Sequence, residues 1–245
     1  MSANALMACY ANPMRVVDGA DFDGATDYLN RGSKLTGIVS SQKGIISFWI
    51  RLDGGDGDTL GISAGSASNG IYIFRNTSNK LKIYGDNSSG TDVFSLESGT
   101  SFTSSASWIH FLASWDSDNT GYLYINDVLE DTCAALSDDV DFVTDVFRVG
   151  RTTTTYTNGC LAEFYFAQEE YLDLSIVSNR RKFISASGKP VHLGTDGSLP
   201  TGNVPILYLH LDDGEAVANF AINRGTGGDL SVVGAPSTAS TSPSD

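Results

Sequence analysis

From Gly44 onward, apolar and polar positions alternate with a period of two, in short runs separated by clusters of Gly, Ser, Asn, Asp and Thr. That period sends successive side chains to opposite sides of an extended chain, so the pattern predicts β-strands. In GIISFWIRL, Ile46, Phe48, Ile50 and Leu52 fall on one side, the predicted core side, and Ile45, Ser47, Trp49 and Arg51 on the other. GIYIFRN and KLKIYGD, joined through TSN, read as a hairpin, with a further strand from Asp92. WIHFLASW pairs with YLYIND across SDNTG, while DVFRVGR and CLAEFYF supply two more strands. Roughly ten to fourteen strands at about ten-residue spacing are too many for one open sheet and predict an all-β sandwich of two packed sheets.

Residues 174–185, LSIVSNRRKFIS, depart from this pattern: Ile176, Arg180, Phe183 and Ile184 fall at near-helical spacing behind Asp173, a candidate cap. A short surface helix is predicted there. The following GKPVHLGTDGSLPTGNVPILYLHLDD is dominated by turn chemistry, with Pro190, Pro200 and Pro205 stiffening an extended path over the sandwich and one strand in PILYLHL. The closing APSTASTSPSD is too poor in apolar residues to order itself, and both chain ends are expected to be held by neighbouring subunits. The predicted organisation is an N-terminal arm (1–19), a sandwich (20–170), a helix plus extended segment closing on it (171–235) and a polar tail (236–245).

The 245 residues are 41% hydrophobic, enough for a substantial core. The formal net charge of -14 opposes binding to nucleic acid or to anionic membrane surfaces. Cys9, Cys133 and Cys160 are odd in number and lack C-x-x-C spacing, so they read as reduced thiols. With no secretory signal pattern and no 18-residue apolar stretch, synthesis in a cytoplasm without membrane insertion is expected.

The stretch DSDNTGYLYIND partly matches a calcium loop through Asp116, Asp118, Gly121 and Asp127. Thr120 stands at the fifth position, no Glu closes the loop, and strands rather than helices flank it, so the hairpin turn is the preferred reading. Asp53, Asp56 and Asp58, and likewise Asp138, Asp139, Asp141 and Asp145, could offer oxygen ligands but read first as solvated loops. No cofactor is expected, with Ca²⁺ left open at these three acidic loops.

Six segments, FDGATDYLNRG, ISFWIRL, SWIHFLASWD, GYLYIND, FRVGR and NGCLAEFYF, follow one another from Phe22 to Phe166. In that order they resemble the motifs of the laminin G-like, concanavalin A-like jelly-roll family. Further along, YLDLSIVSNRRKF, GKPVHLGTDGSLPTGNVPILYL and NRGTGGDLSVVGA resemble the C-terminal part of laminin G-like proteins encoded by tailed bacteriophages. The resemblance implies a virion structural protein, with phage capsid or tail proteins and further copies of itself as partners. Head decoration is favoured, because no heptad, collagen-like or β-helical repeat suggests a fibre. The alternative is a tail- or fibre-associated protein that recognises a host-surface glycan.

Glucanases of the superfamily carry an E-x-D-x-x-E strand with all three carboxylates on one side. Here Glu169, Glu170 and Asp173 do not complete that set. His110, His192 and His210 accompany no G-x-S-x-G elbow, and His110, inside WIHF, reads as structural. No catalytic residue is assigned, and the protein is expected not to be an enzyme. For sugar contact, Tyr156 and Asn158 in TTTTYTNG are the candidates, with Tyr10 a second aromatic.

Overall fold

The computed structural model describes residues 16–54, 61–66, 69–143 and 146–245. One sheet has eight strands. Its path runs β11 (Val128–Cys133), β10 (Gly121–Ile125), β9 (Ile109–Trp115), β4 (Gly44–Leu52), β13 (Asn158–Gln168), β2 (Ala20–Asp23) and β17 (Ser237–Thr238), and β14 (Leu207–Leu209) also pairs with β13. The other has seven, in the order β16 (Ser231–Val233), β3 (Tyr28–Asn30), β12 (Phe147–Val149), β5 (Gly61–Ser66), β6 (Asn69–Arg75), β7 (Lys80–Asp86) and β8 (Asp92–Ser101). A two-residue pair, β1 (Val17–Asp18) with β15 (Leu211–Asp212), completes the set. The pairings within both sheets are antiparallel. The molecule is the expected two-sheet jelly-roll sandwich, and the seventeen strands among the described residues exceed the sequence estimate through several two- and three-residue strands.

The sandwich core follows the period-two reading. Ile46, Phe48, Ile50 and Leu52 of β4 join Phe111, Leu123, Leu161 and Phe164 against Leu29, Ile73, Ile83 and Leu96 of the opposite sheet. Phe48 stacks on Phe111 at 4.7 Å and Phe94 on Trp115 at 4.8 Å, the offset contact that aromatic rings favour. Every residue of β4 is nevertheless buried. Its second side is covered by the C-terminal segment: Ile45 packs with Leu112, Tyr165, Phe183, Leu193 and Tyr208, and Trp49 with Val17, Ala162 and Ile184.

The predicted 174–185 helix shrinks to a single turn, α1 (Val177–Arg180). Asp173 does not cap it; its Oδ1 accepts from Ser175 N–H and Oγ–H in a local turn, and Ile176 occupies the cap position. The near-helical spacing has another cause. Arg180 is buried, donates to the Leu174 carbonyl at 2.5 Å and, with Arg181, grips Asp127 at 2.5 and 2.6 Å in the turn between β10 and β11.

The polar tail makes bonds to its own chain. Ser237 and Thr238 pair with Asp21 and Ala20, Arg51 donates to Ser240 and Thr241, Trp108 Nε1 donates to Thr241, and Ser242 Oγ donates to the Val17 carbonyl. Of the predicted N-terminal arm, Val17 and Asp18 pair with Asp212 and Leu211, and residues 1–15 lie outside the described residues.

Candidate functional site

Among the described residues the outer side of the seven-stranded sheet is covered in part, by the threonine-rich loop after β12, and its cross-strand register lines up one row of side chains in which Ser63 and Tyr72 are buried. Asn30 of β3 faces Arg148 of β12, which faces Ser63 of β5, then Tyr72 of β6, Tyr84 of β7 and Ser95 of β8. At a strand spacing of about 4.8 Å the row extends about 24 Å. Tyr72 stacks on Tyr84 at 5.0 Å with the rings 17° apart, Phe74 meets the Tyr84 edge at 5.9 Å, and the Lys82 ammonium lies 5.6 Å from the Tyr84 ring. Burial, then Asp86, push the Tyr84 phenol up to about 12, so near neutral pH it stays a hydrogen-bond donor.

The threonine-rich loop after β12 stands over this row. Arg151 and Tyr156 bridge its ends; Thr152 N donates to the Thr155 carbonyl, Thr155 N to Thr152 Oγ1, and Thr157 N to the Gly150 carbonyl. A side chain at Gly61 would meet the Thr155 carbonyl at 2.6 Å, so only glycine lets the loop lie this close to β5. Between loop and sheet lies a groove of about 180 Å³ lined by Tyr72, Phe74, Tyr84 and Thr152 to Thr155. At its Arg148 end the Arg151 guanidinium sits 5.0 Å from the Tyr28 ring and 4.7 Å from Tyr156, whose rings meet edge-on at 6.0 Å. Burial, and then the charge of Arg151, lower the Arg148 pKa. Flat rings for stacking, hydroxyl groups and forked guanidinium donors give this face the means to hold a polyhydroxylated ligand.

The two residues singled out for sugar contact are separated by the fold. Tyr156 belongs to the aromatic–arginine face, whereas Asn158 opens β13 in the other sheet, where Cβ atoms added at Gly24 or Gly54 would meet its side chain at 2.7 and 2.6 Å. Tyr10, Asp56, Asp58 and Asp145 lie outside the described residues. Four of the described acidic-loop residues bond to protein groups: the buried Asp116 holds Ser117, Asn119 and Lys43 and the buried Asp141 takes Ser40 and Val143 N–H, while the exposed Asp53 holds Arg51 at 2.6 Å and the exposed Asp138 takes Asn87. Ligand atoms of Asp21, Asp53 and Cys160 come within 4.8 Å of one another. Arg51 already supplies the positive charge there, and burial pushes the Cys160 thiol far up, so it stays protonated and a poor metal ligand. Cys133 and Cys160 are free, and Cys9 lies outside the described residues.

The histidine and acidic run weighed for catalysis serve packing and local turns. His110 is 1% exposed, shares a 2.9 Å hydrogen bond between its Nε2 and Ser47 Oγ, and lies 4.8 Å from the Trp49 ring. Burial lowers its pKa to about 3. Glu170 accepts from Asn203 and Asp173 turns its own loop, so the acidic run QEEYLD forms no carboxylate pair.

The sequence reading missed a buried cluster in which Glu163 accepts from Tyr208 Oη at 2.9 Å and bonds His210 Nδ1, with Asp212 Oδ1 3.2 Å from the far ring nitrogen. Strict alternation would turn Glu163 inward beside Leu161. A bulge between Ala162 and Tyr165, with Glu163 at φ 48°, turns it to the covered side and restores Phe164 to the core. Arg148 was also missed, although its outward position in FRVGR was readable from the alternation.

Comparison with known proteins matches residues 23–171, well over half of the chain, to the concanavalin A-like lectin/glucanases superfamily. A search of curated proteins finds no similar sequence. Among solved structures, a Bacteroides ovatus protein described as carbohydrate binding is 13% identical, with 94% of this chain and 62% of that one aligned and a TM-score of 0.66. A heptameric pentraxin from Limulus polyphemus is also 13% identical, with 81% and 93% aligned and a TM-score of 0.50. This chain therefore spans less than two thirds of the first protein's length, and identities this low speak to the fold alone. Family match, sheet order and core together lead to one statement: the chain belongs to the concanavalin A-like lectin/glucanase superfamily and has its lectin-like jelly-roll fold.

Proposed function

We propose that this protein is a non-catalytic carbohydrate-binding protein that uses the outer face of its seven-stranded sheet. The observation that carries the reading is the contrast in cover. One sheet has its apolar outer face sealed by the chain's own C-terminal segment, while the other leaves Tyr28, Tyr84, Phe74 and Tyr156 only partly buried beside a threonine-lined groove. Partly exposed aromatics grouped with hydroxyl donors suit stacking on sugar rings. The two carboxyl groups on this face, Asp86 and Asp92, share a hydrogen bond and Asp86 is buried, so they lie too close together to flank a glycosidic bond, which favours binding over hydrolysis. The purified protein is expected to bind on a glycan array, and Tyr84→Ala to weaken that binding about tenfold or more; an array without signal overturns the reading.

A placement in a tailed-phage particle rests on the resemblance of the segments after Tyr171. Head decoration is favoured by the sequence, in which no heptad, collagen-like or β-helical repeat suggests a fibre. The open aromatic face instead favours the outer end of a tail or fibre, with a host-surface glycan as ligand. Gold-labelled antibody against the protein, imaged on purified particles, tests this: label at the tail supports it, and label over the head restores decoration.

A further inference from the structure

We infer that the ligand of this face is an acidic saccharide, its anionic group held by Arg148 and Arg151 while a neighbouring sugar ring lies against the partly exposed Tyr84, which Tyr72 backs from beneath. The inference rests on the carbohydrate-binding reading above and names the chemical class it selects. In a chain with 29 acidic and 15 basic side chains, a guanidinium has many carboxylates to choose from. Arg51, Arg180, Arg181 and Arg224 each take one. Arg31 instead donates to the Asp229 carbonyl and to Thr36 Oγ1, whereas Arg148 and Arg151 take no carboxylate among the described residues although they are close enough for Arg151 to depress the Arg148 pKa.

Two like charges side by side repel, and the fold maintains them. The strand register places Arg148, and Arg151 packs against the edge-on pair of Tyr28 and Tyr156 rings, with its Nε buried and without a hydrogen-bond partner. An arrangement that costs free energy in the empty site and is relieved by an anion is a binding device. The opposite end of the row carries both signs: Asp86, buried and close to Asp92, and the Lys82 ammonium both lie beside Tyr84. The unopposed positive charge of the face is therefore concentrated over β12. Arg148 and Tyr84 are three strands apart, at about 4.8 Å per strand. That separation lets an acidic sugar unit and its neighbour engage both ends at once. The remote negative charges of the protein, screened beyond about 10 Å at ordinary salt, do not cancel this local field.

The anionic group is either a carboxylate or a sulfate ester, both matched by a guanidinium fork. The test is a glycan array carrying neutral, uronate and sulfated saccharides, read with the wild type, Arg148→Gln and Tyr84→Ala. Binding confined to acidic glycans, at least tenfold weaker in Arg148→Gln and falling with added salt, is expected. Loss of binding after carboxyl reduction of the bound glycan identifies a carboxylate, and loss after desulfation identifies a sulfate ester. Neutral glycans bound as well as acidic ones, with Arg148→Gln within twofold of wild type and Tyr84→Ala weakened, would overturn this inference and leave the carbohydrate reading standing. Silence of the wild type on every glycan would remove both. Arg148 is only partly buried, and equal melting temperatures of variant and wild type check that the variant is folded.

Discussion

The two outer faces of the sandwich solve the same problem in opposite ways. On the eight-stranded sheet, Ile45, Leu112 and Tyr165 are roofed by Phe183, Leu193 and Tyr208, and most polar groups named beneath that roof are paired, Ser47 with His110 Nε2 and Glu163 with Tyr208 and His210, although His110 Nδ1 has no hydrogen-bond partner. On the seven-stranded sheet, Tyr28, Phe74 and Tyr84 remain partly exposed, and two arginines have no carboxylate among the described residues. Buried polar groups must find partners, so pairing on the covered side follows from stability alone. Partly exposed aromatics beside unmatched charge contribute little to stability, which points to a purpose outside the fold.

The strongest way to break this comparison is to damage the roof. Phe183, 2% exposed and edge-on to Tyr165 at 5.3 Å, fills the space between segment and sheet. Phe183→Ala is expected to destabilise the protein by about 3 to 5 kcal/mol in urea unfolding, as large aromatic deletions in cores do. A cost under about 1 kcal/mol would mean that the C-terminal segment merely rests on the sheet. A smaller loss, about 1 to 3 kcal/mol, is expected for Glu163→Gln, which keeps the shape but weakens the bonds to Tyr208 and His210. An unchanged unfolding midpoint would show that the pairing under the roof is not what holds it.

The asymmetry was only half legible in the sequence. Alternation in GIISFWIRL put Ile46, Phe48, Ile50 and Leu52 in the core, and the apolar Ile45 and Trp49 on its other side were the visible sign of a strand covered on both faces. What would cover it was not visible, because the tail's partners lie far along the chain: Thr241 meets Arg51 and Trp108, and composition alone makes such a tail look disordered. In LAEFYF no alternation marks the bulge, so Glu163 could not be assigned a side. On the open face, Tyr156 could be chosen from its loop, but its neighbours Tyr28 and Arg151 are gathered by pairing between strands distant in sequence, and Asn158, two residues away, lands in the other sheet.

Acid titration sharpens the contrast through two groups of opposite sign. His110, under the roof, has its pKa lowered to about 3 by burial, so between the unfolded value of about 6.5 and pH 3 the unfolded chain binds a proton that the folded one refuses. Stability is lost as pH falls through that window, by about 1.4 kcal/mol per pH unit at most. Asp86, beside Tyr84, is raised to about 6 by burial and then by Asp92, so between pH 6 and its unfolded value the folded chain holds the extra proton and stability rises as pH falls. The wild type is expected to show a shallow pH dependence of unfolding between about pH 4 and 6. His110→Gln should gain stability on acidification there, and Asp86→Asn should lose it more steeply than wild type. If both variants follow the wild-type curve, neither group titrates in this way.

The smallest expected change in stability separates the two faces most cleanly. Tyr156→Ala removes one of the two rings packed against Arg151, a contact worth about 0.5 to 1 kcal/mol at a partly exposed site, and leaves Tyr28 in place. Its melting temperature should therefore fall by only a few degrees. Glycan affinity should fall much further, about tenfold, because Arg151 would lose its fixed direction and the sugar would lose a ring to rest on. A large loss of stability with unchanged binding would invert the comparison, making the open face a part of the core and leaving the ligand to be sought elsewhere on the molecule.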